Sequence, residues 1–107
     1  MAAGRLWTLT SLNGQTVTAA RPPTLQFEQG RLAVFGGVNQ LTGSYGLIDG
    51  KVVLSDLVST KRAGVPAAAE REQAFAKALA AAEDYRVQGD ELSLLRNGEV
   101  IAVFSSR

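Results

Sequence analysis

The chain reads as an α+β domain, mostly antiparallel strands with one helix. Three observations give that reading: turn dipeptides containing Gly recur at short spacing, apolar residues alternate beside them, and one Ala-rich segment has helical spacing. Asn13-Gly14 separates Leu6 to Leu9 from the β-branched Thr16-Val17-Thr18, an opening hairpin. Gln29-Gly30 separates Thr24 to Glu28 from Arg31 to Phe35, and Asp49-Gly50 separates Ser44 to Ile48 from Lys51 to Leu54. Gly89-Asp90 and Asn97-Gly98 bracket Glu91 to Leu95, with Tyr85 to Gln88 before and Glu99 to Phe104 after, a three-stranded meander. Asn-Gly and Asp-Gly suit two-residue loops because both central residues take positive φ. Pro22-Pro23 interrupts pairing and marks a connection.

The helix is expected over about 67–83, a stretch with nine Ala in which Phe75 and Leu79 share one face. Pro66 fits its first turn, and Glu70 and Glu72 are expected near the positive end of its dipole, in a solvated first turn. The alanines permit close approach to a sheet. Trp7, Phe27, Phe35, Phe75 and Phe104 are expected in the core, and the alternation of Leu25, Phe27 and Val34 supports that.

Composition narrows the function. With 107 residues, 46% of them apolar, the chain is long enough for one domain with its own core, 1–107, without disulfide or metal staples. Eleven Lys and Arg against ten Asp and Glu give no polybasic surface, so no nucleic-acid partner is expected. The absence of His and Cys removes thiolate nucleophiles, imidazole bases and the common zinc sites. No cofactor, no metal and no catalytic residue is expected. Met1 to Gly4 lacks the form of a signal peptide, and no apolar run approaches the roughly 20 residues of a membrane span. A leader or lipid anchor upstream of this chain stays open.

The densest signal is Gly36-Gly37-Val38-Asn39 followed by Leu41-Thr42-Gly43-Ser44-Tyr45, Gly and Asn crowded between two strand-like flanks. With the opening Trp7, Leu9 and Gly14, the Pro23 to Phe27 strand, Thr60, Glu72, Phe75, Leu79, Tyr85 and the Gly89-Asp90-x-Leu92-x-Leu94 turn, it resembles the META domain, or HslJ-like, family of bacterial envelope proteins over nearly the whole chain. The resemblance implies a curved, half-open (cracked) barrel of about seven to eight strands with the helix packed against it. It also implies a place in the cell envelope or periplasm, an association with heat shock and stress response, sometimes as lipoproteins, and no established reaction. Family members often carry Cys where Val38 and Gly64 stand here. Their joint loss is what the resemblance implies for a disulfide pair, and it leads us to expect a mobile loop around Lys61 to Gly64.

Within the signature, Asn39 and the Tyr45 hydroxyl either line the mouth of a pocket or, the commoner use of such residues, fix a turn and pack. Thr60, Lys61 and Arg62 form the compact basic spot that would meet a phosphate or an acidic partner, against the commoner reading of an exposed loop. Catalysis would have to use Ser59 with Lys61, or Asp49 with Asp56, and neither pair has a visible oxyanion site or a base of neutral pKa. Three functions follow in order: a non-catalytic envelope module that binds a lipid or another apolar molecule or acts as a scaffold, a protein-interaction or inhibitory module acting through a sheet edge or loop, and a hydrolase of unknown type. The first predicts an apolar cavity between helix and sheet, the second an exposed apolar patch or open strand edge. A monomer is expected.

Overall fold

The computed structural model of the chain describes residues 5–48 and 51–106. Its elements run β1 (Leu6–Leu12), β2 (Gln15–Thr16), β3 (Thr24–Glu28), β4 (Arg31–Phe35), β5 (Gln40–Ile48), β6 (Lys51–Ser59), α1 (Pro66–Ala81), β7 (Asp84–Gln88), β8 (Glu91–Arg96) and β9 (Glu99–Ser105). The turns at Asn13-Gly14, Gln29-Gly30 and Asn97-Gly98 each place both residues at positive φ, between 48° and 80°, as two-residue hairpins of this hand require. The expected Asp49-Gly50 turn lies outside the described residues.

Three expectations about these elements need correcting. The helix ends at Ala81 rather than Glu83, because the sheet claims Glu83: its N–H donates to the Leu95 carbonyl at 2.9 Å and its own carbonyl accepts from Val52 N–H at 2.8 Å. Strands β5 and β6 are nine residues each, longer than expected, so the second half of the signature is strand and only Gly36 to Asn39 is loop. Glu70 and Glu72 fall in the second turn of α1, since the first turn holds only Pro66 and alanines, and Glu72 is partly buried rather than solvated.

The strands form one antiparallel sheet in the order β6-β5-β4-β3-β1-β9-β8-β7, with β2 paired only to β1. Register shifts between Leu9 and Ser11, Thr42 and Ser44, and Leu94 and Leu95 bend the sheet, as bulges do. The curl brings the edge strands β6 and β7 near each other without pairing them along their lengths. They meet at the Val52 to Glu83 bond, and the barrel stays open from there.

Inside the curl lie Trp7, Leu9, Leu25, Phe27, Leu32, Leu92, Leu94 and Phe104, all within 1% of complete burial. Helix α1 adds Phe75, Ala78 and Leu79 to this core, with the Phe75 and Phe104 rings 5.8 Å apart. Burying each large apolar side chain is worth about 1.5–3 kcal/mol, so these residues hold the helix on the sheet although its sequence is only weakly amphipathic. Phe35 is the exception to the expected aromatic core: it ends β4 half-buried, under the Arg21 guanidinium at 4.8 Å. Arg5 ties the sheet at another corner. Its Nη2 donates to the Gly89 carbonyl, Asp90 Oδ1 and Ser106 Oγ at 2.9, 2.9 and 2.8 Å while the guanidinium lies 4.6 Å over the Trp7 ring.

Candidate functional site

Between β4 and β5 the chain turns through Gly36 to Asn39, with Gly37 at φ 115°, a value that glycine reaches without strain. Gly36 N–H donates to the Asn39 carbonyl at 2.9 Å and closes the turn. The turn leaves the Val38 and Asn39 amides directed at α1, where Glu72 meets them. Val38 N–H donates to Glu72 Oε2 at 2.9 Å, Asn39 N–H donates to the same oxygen, and Asn39 Nδ2 donates to Oε1 at 2.7 Å.

The other end of the Asn39 side chain reaches the loop between β6 and α1. Asn39 Oδ1 accepts from Thr60 Oγ1 at 3.0 Å and from Arg62 N–H at 2.6 Å. Thr60 Oγ1 in turn accepts from Gln40 N–H at 3.1 Å, and Thr60 N–H donates to the Gln40 carbonyl at 3.0 Å. One buried asparagine and one carboxylate thus join three separate segments. Burial pushes the Glu72 carboxyl up, but the Asn39 amide, the Asn39 side chain and the Val38 amide outweigh it and hold the pKa below the ordinary value of 4.5. Amide donors do this without a cation: among the described residues the ion pair is Arg5 with Asp90, far from this loop in the sequence.

Of the five residues singled out from the sequence, Asn39, Thr60 and the backbone of Arg62 come together here. The Lys61 and Arg62 side chains are exposed on the loop. Tyr45 stands apart on β5, opposite Leu54, with its ring edge-on to Phe27 at 4.8 Å between centroids. Ser59 Oγ donates to the Thr60 carbonyl at 2.7 Å, while Asp49 and the Asp56 side chain lie outside the described residues. Glu72 was missed as a site residue, yet a signal existed: positions 72, 75 and 79 share one helical face, so a carboxylate sat on the stripe that carries Phe75 and Leu79.

The arrangement organises backbone. Its donors and acceptors are turned on one another, and among the described residues no group of three metal-ligating side chains forms. Between helix and sheet, Trp7, Phe75, Leu79 and Phe104 fill the space where an apolar ligand would need a cavity. Two open grooves instead flank α1 on the surface. One, of about 420 Å³, lies between the β1–β2 hairpin and Ala67, Glu70 and Arg71; the other, of about 470 Å³, is lined by Glu70, Lys77, Arg96 and Ile101. Both carry charged side chains. No helix among the described residues is long and apolar enough to cross a membrane.

Solved structures share this architecture. A protein from Burkholderia xenovorans, solved by NMR, superposes with a TM-score of 0.78 at 24% identity, over 98% of this chain and 83% of that one. A second NMR structure gives 0.74 at 19% identity, over 95% of this chain and 88% of the other. The crystal structure of a DUF4847 family protein from Bacteroides vulgatus gives 0.72 at 13% identity, over 98% and 94%. These likenesses establish the fold. No curated protein matches the chain. The META domain family model matches residues 2–107, and the chain belongs to the META domain family.

Proposed function

We propose that this META domain is a non-catalytic binding and scaffolding module of the bacterial cell envelope whose partner is another protein. The observation that carries the reading is the Asn39–Glu72 network: these polar groups are engaged with one another and tie the β4–β5 turn to α1 and to the β6–α1 loop. The filled interior favours a protein over a lipid, because an acyl chain would have to displace Phe75 or Phe104. The surface that suits a partner is the end of β6 and the loop that follows, where Val58 and Val65 are 67% and 68% exposed and flank the exposed Lys61 and Arg62. Strand β6 is also an edge of the sheet, and an exposed strand edge is a template for pairing with another chain.

The test pairs two measurements on the isolated domain. A photo-crosslinker at position 58 or 65 should capture one envelope protein, and the purified pair should bind with Val58→Lys weakening the affinity about tenfold. A two-dimensional amide NMR titration with a short-chain phospholipid below its micelle concentration should leave core resonances unmoved. Saturable shifts at Phe75, Leu79 and Phe104 without any specific crosslink would replace the protein partner by a lipid.

A further inference from the structure

Glu72 is the sole charged member of the three-segment junction. Facing it from the β4–β5 turn are Gly36, Val38 and Asn39, none of which titrates. The β6–α1 loop brings Lys61 and Arg62, but it is the Arg62 backbone N–H that enters the junction, and it bonds Asn39. On α1 itself the neighbours one turn away, Ala68, Ala69, Phe75 and Ala76, are uncharged. The carboxylate is therefore held by three N–H donors, and among the described residues it has no ion pair to keep it ionised. Protonation removes the negative charge that strengthens all three bonds and places an O–H on one of the two oxygens the donors face, which weakens the acceptor without abolishing it.

We propose that Glu72 is an acid-released latch: protonation of its carboxyl detaches the Gly36 to Asn39 turn from α1 while the sheet stays folded. The lowered pKa places release in acid, below the ordinary glutamate value of 4.5. The sheet survives because the strand ladders and the aromatic core make no use of Glu72. The turn can move because Gly36 and Gly37 give its first half little side-chain anchorage, and Asn39 keeps its hold on Thr60 and Arg62, so the turn moves together with the first residues of the β6–α1 loop. This holds whether or not the domain has the partner proposed above.

Amide exchange followed by NMR on the unmodified chain, from neutral pH down through the titration of the Glu72 carboxyl and normalised to each amide's intrinsic rate, tests the latch. Protection at Val38 and Asn39 should fall measurably as Glu72 takes up its proton, with the Leu9 amide, bonded to the Pro23 carbonyl, unchanged. The Glu72 carboxyl should titrate at the same midpoint. Glu72→Gln should show the low protection at every pH. Protection at Val38 and Asn39 that persists once Glu72 is protonated, or that disappears together with that of Leu9, overturns the proposal; should the variant fail to fold, the titration of the unmodified chain decides by itself.

Discussion

Gly36 lies against Glu72 so closely that a Cβ built on it would stand 2.5 Å from the glutamate Cγ and 2.7 Å from Oε2. A free surface glutamate would swing aside at little cost. Glu72 cannot, because leaving means losing the Val38 and Asn39 donors. Gly36→Ala should therefore cost about 1–3 kcal/mol, as overpacked positions do. In a Glu72→Ala background the same change should cost much less, a coupling that urea denaturation of the four chains measures.

Stability should depend on pH through Glu72 with a definite sign. Its native pKa lies below 4.5, so the stabilisation is complete above that ordinary value and is lost as pH falls through the lowered native one. Against Glu72→Gln, the unmodified chain should be more stable by about 1–3 kcal/mol at pH 7, the scale of hydrogen bonds to a charged group. The difference should shrink below about pH 4.5, as Glu72 takes up its proton. Equal acid sensitivity of both chains in denaturation from pH 7 to 3 would remove Glu72 as the source.

Val38 and Gly64 are in contact: a Cβ on Gly64 would stand 3.3 Å from the Val38 Cβ. Disulfides hold their Cβ atoms about 3.5–4.5 Å apart, so a small outward shift of the loop gives Val38→Cys with Gly64→Cys a sound geometry. The double variant should oxidise spontaneously, seen as a loss of two thiols by mass spectrometry. Closing that loop should stabilise by up to about 3.5 kcal/mol on chain entropy. Exchange at residues 63–64 should slow at the same time, which tests the mobility expected of this loop.

Two glycines in β5 should respond oppositely. A Cβ at Gly43 would meet the Ser55 carbonyl oxygen at 2.8 Å and Leu57 Cδ2 at 2.9 Å, whereas one at Gly46 meets nothing within 4 Å. Gly43→Ala should lower the midpoint of thermal unfolding by several degrees, with the backbone oxygen unable to retreat. Gly46→Ala should leave it unchanged or raise it slightly.

How much of this was legible in the sequence differs between sheet and site. Asn13-Gly14, Gln29-Gly30 and Asn97-Gly98 announced their hairpins because positive φ at two successive residues is a local demand with a local signature. Phe75 and Leu79 announced the buried helix face through spacing alone. Glu83 was misplaced because a long-range bond to Val52 overrides the helix propensity of the alanines before it. Phe35 looked like core by residue type, but its place at the end of β4 leaves it half-covered. At the site, Asn39 and Thr60 were visible as unusual residues, yet their joint partner was not. Residues 39, 60 and 72 meet only after the sheet has curled and α1 has folded back over it, and no local pattern encodes that.

The Arg5 staple has a consequence for how the domain can be carried. Thr8 pairs with Ser105 across β1 and β9, and Arg5 reaches Ser106 at 2.8 Å, so residues 5 and 106 lie at one corner. A tether joined at residue 5 or at residue 106 would suspend the domain from the same corner and present the same surfaces outward. The topology is then close to a ring with one cut: a short linker from 106 to 5, with a new opening in the exposed Asn97-Gly98 turn, leaves every strand pairing other than that hairpin's own connection in place.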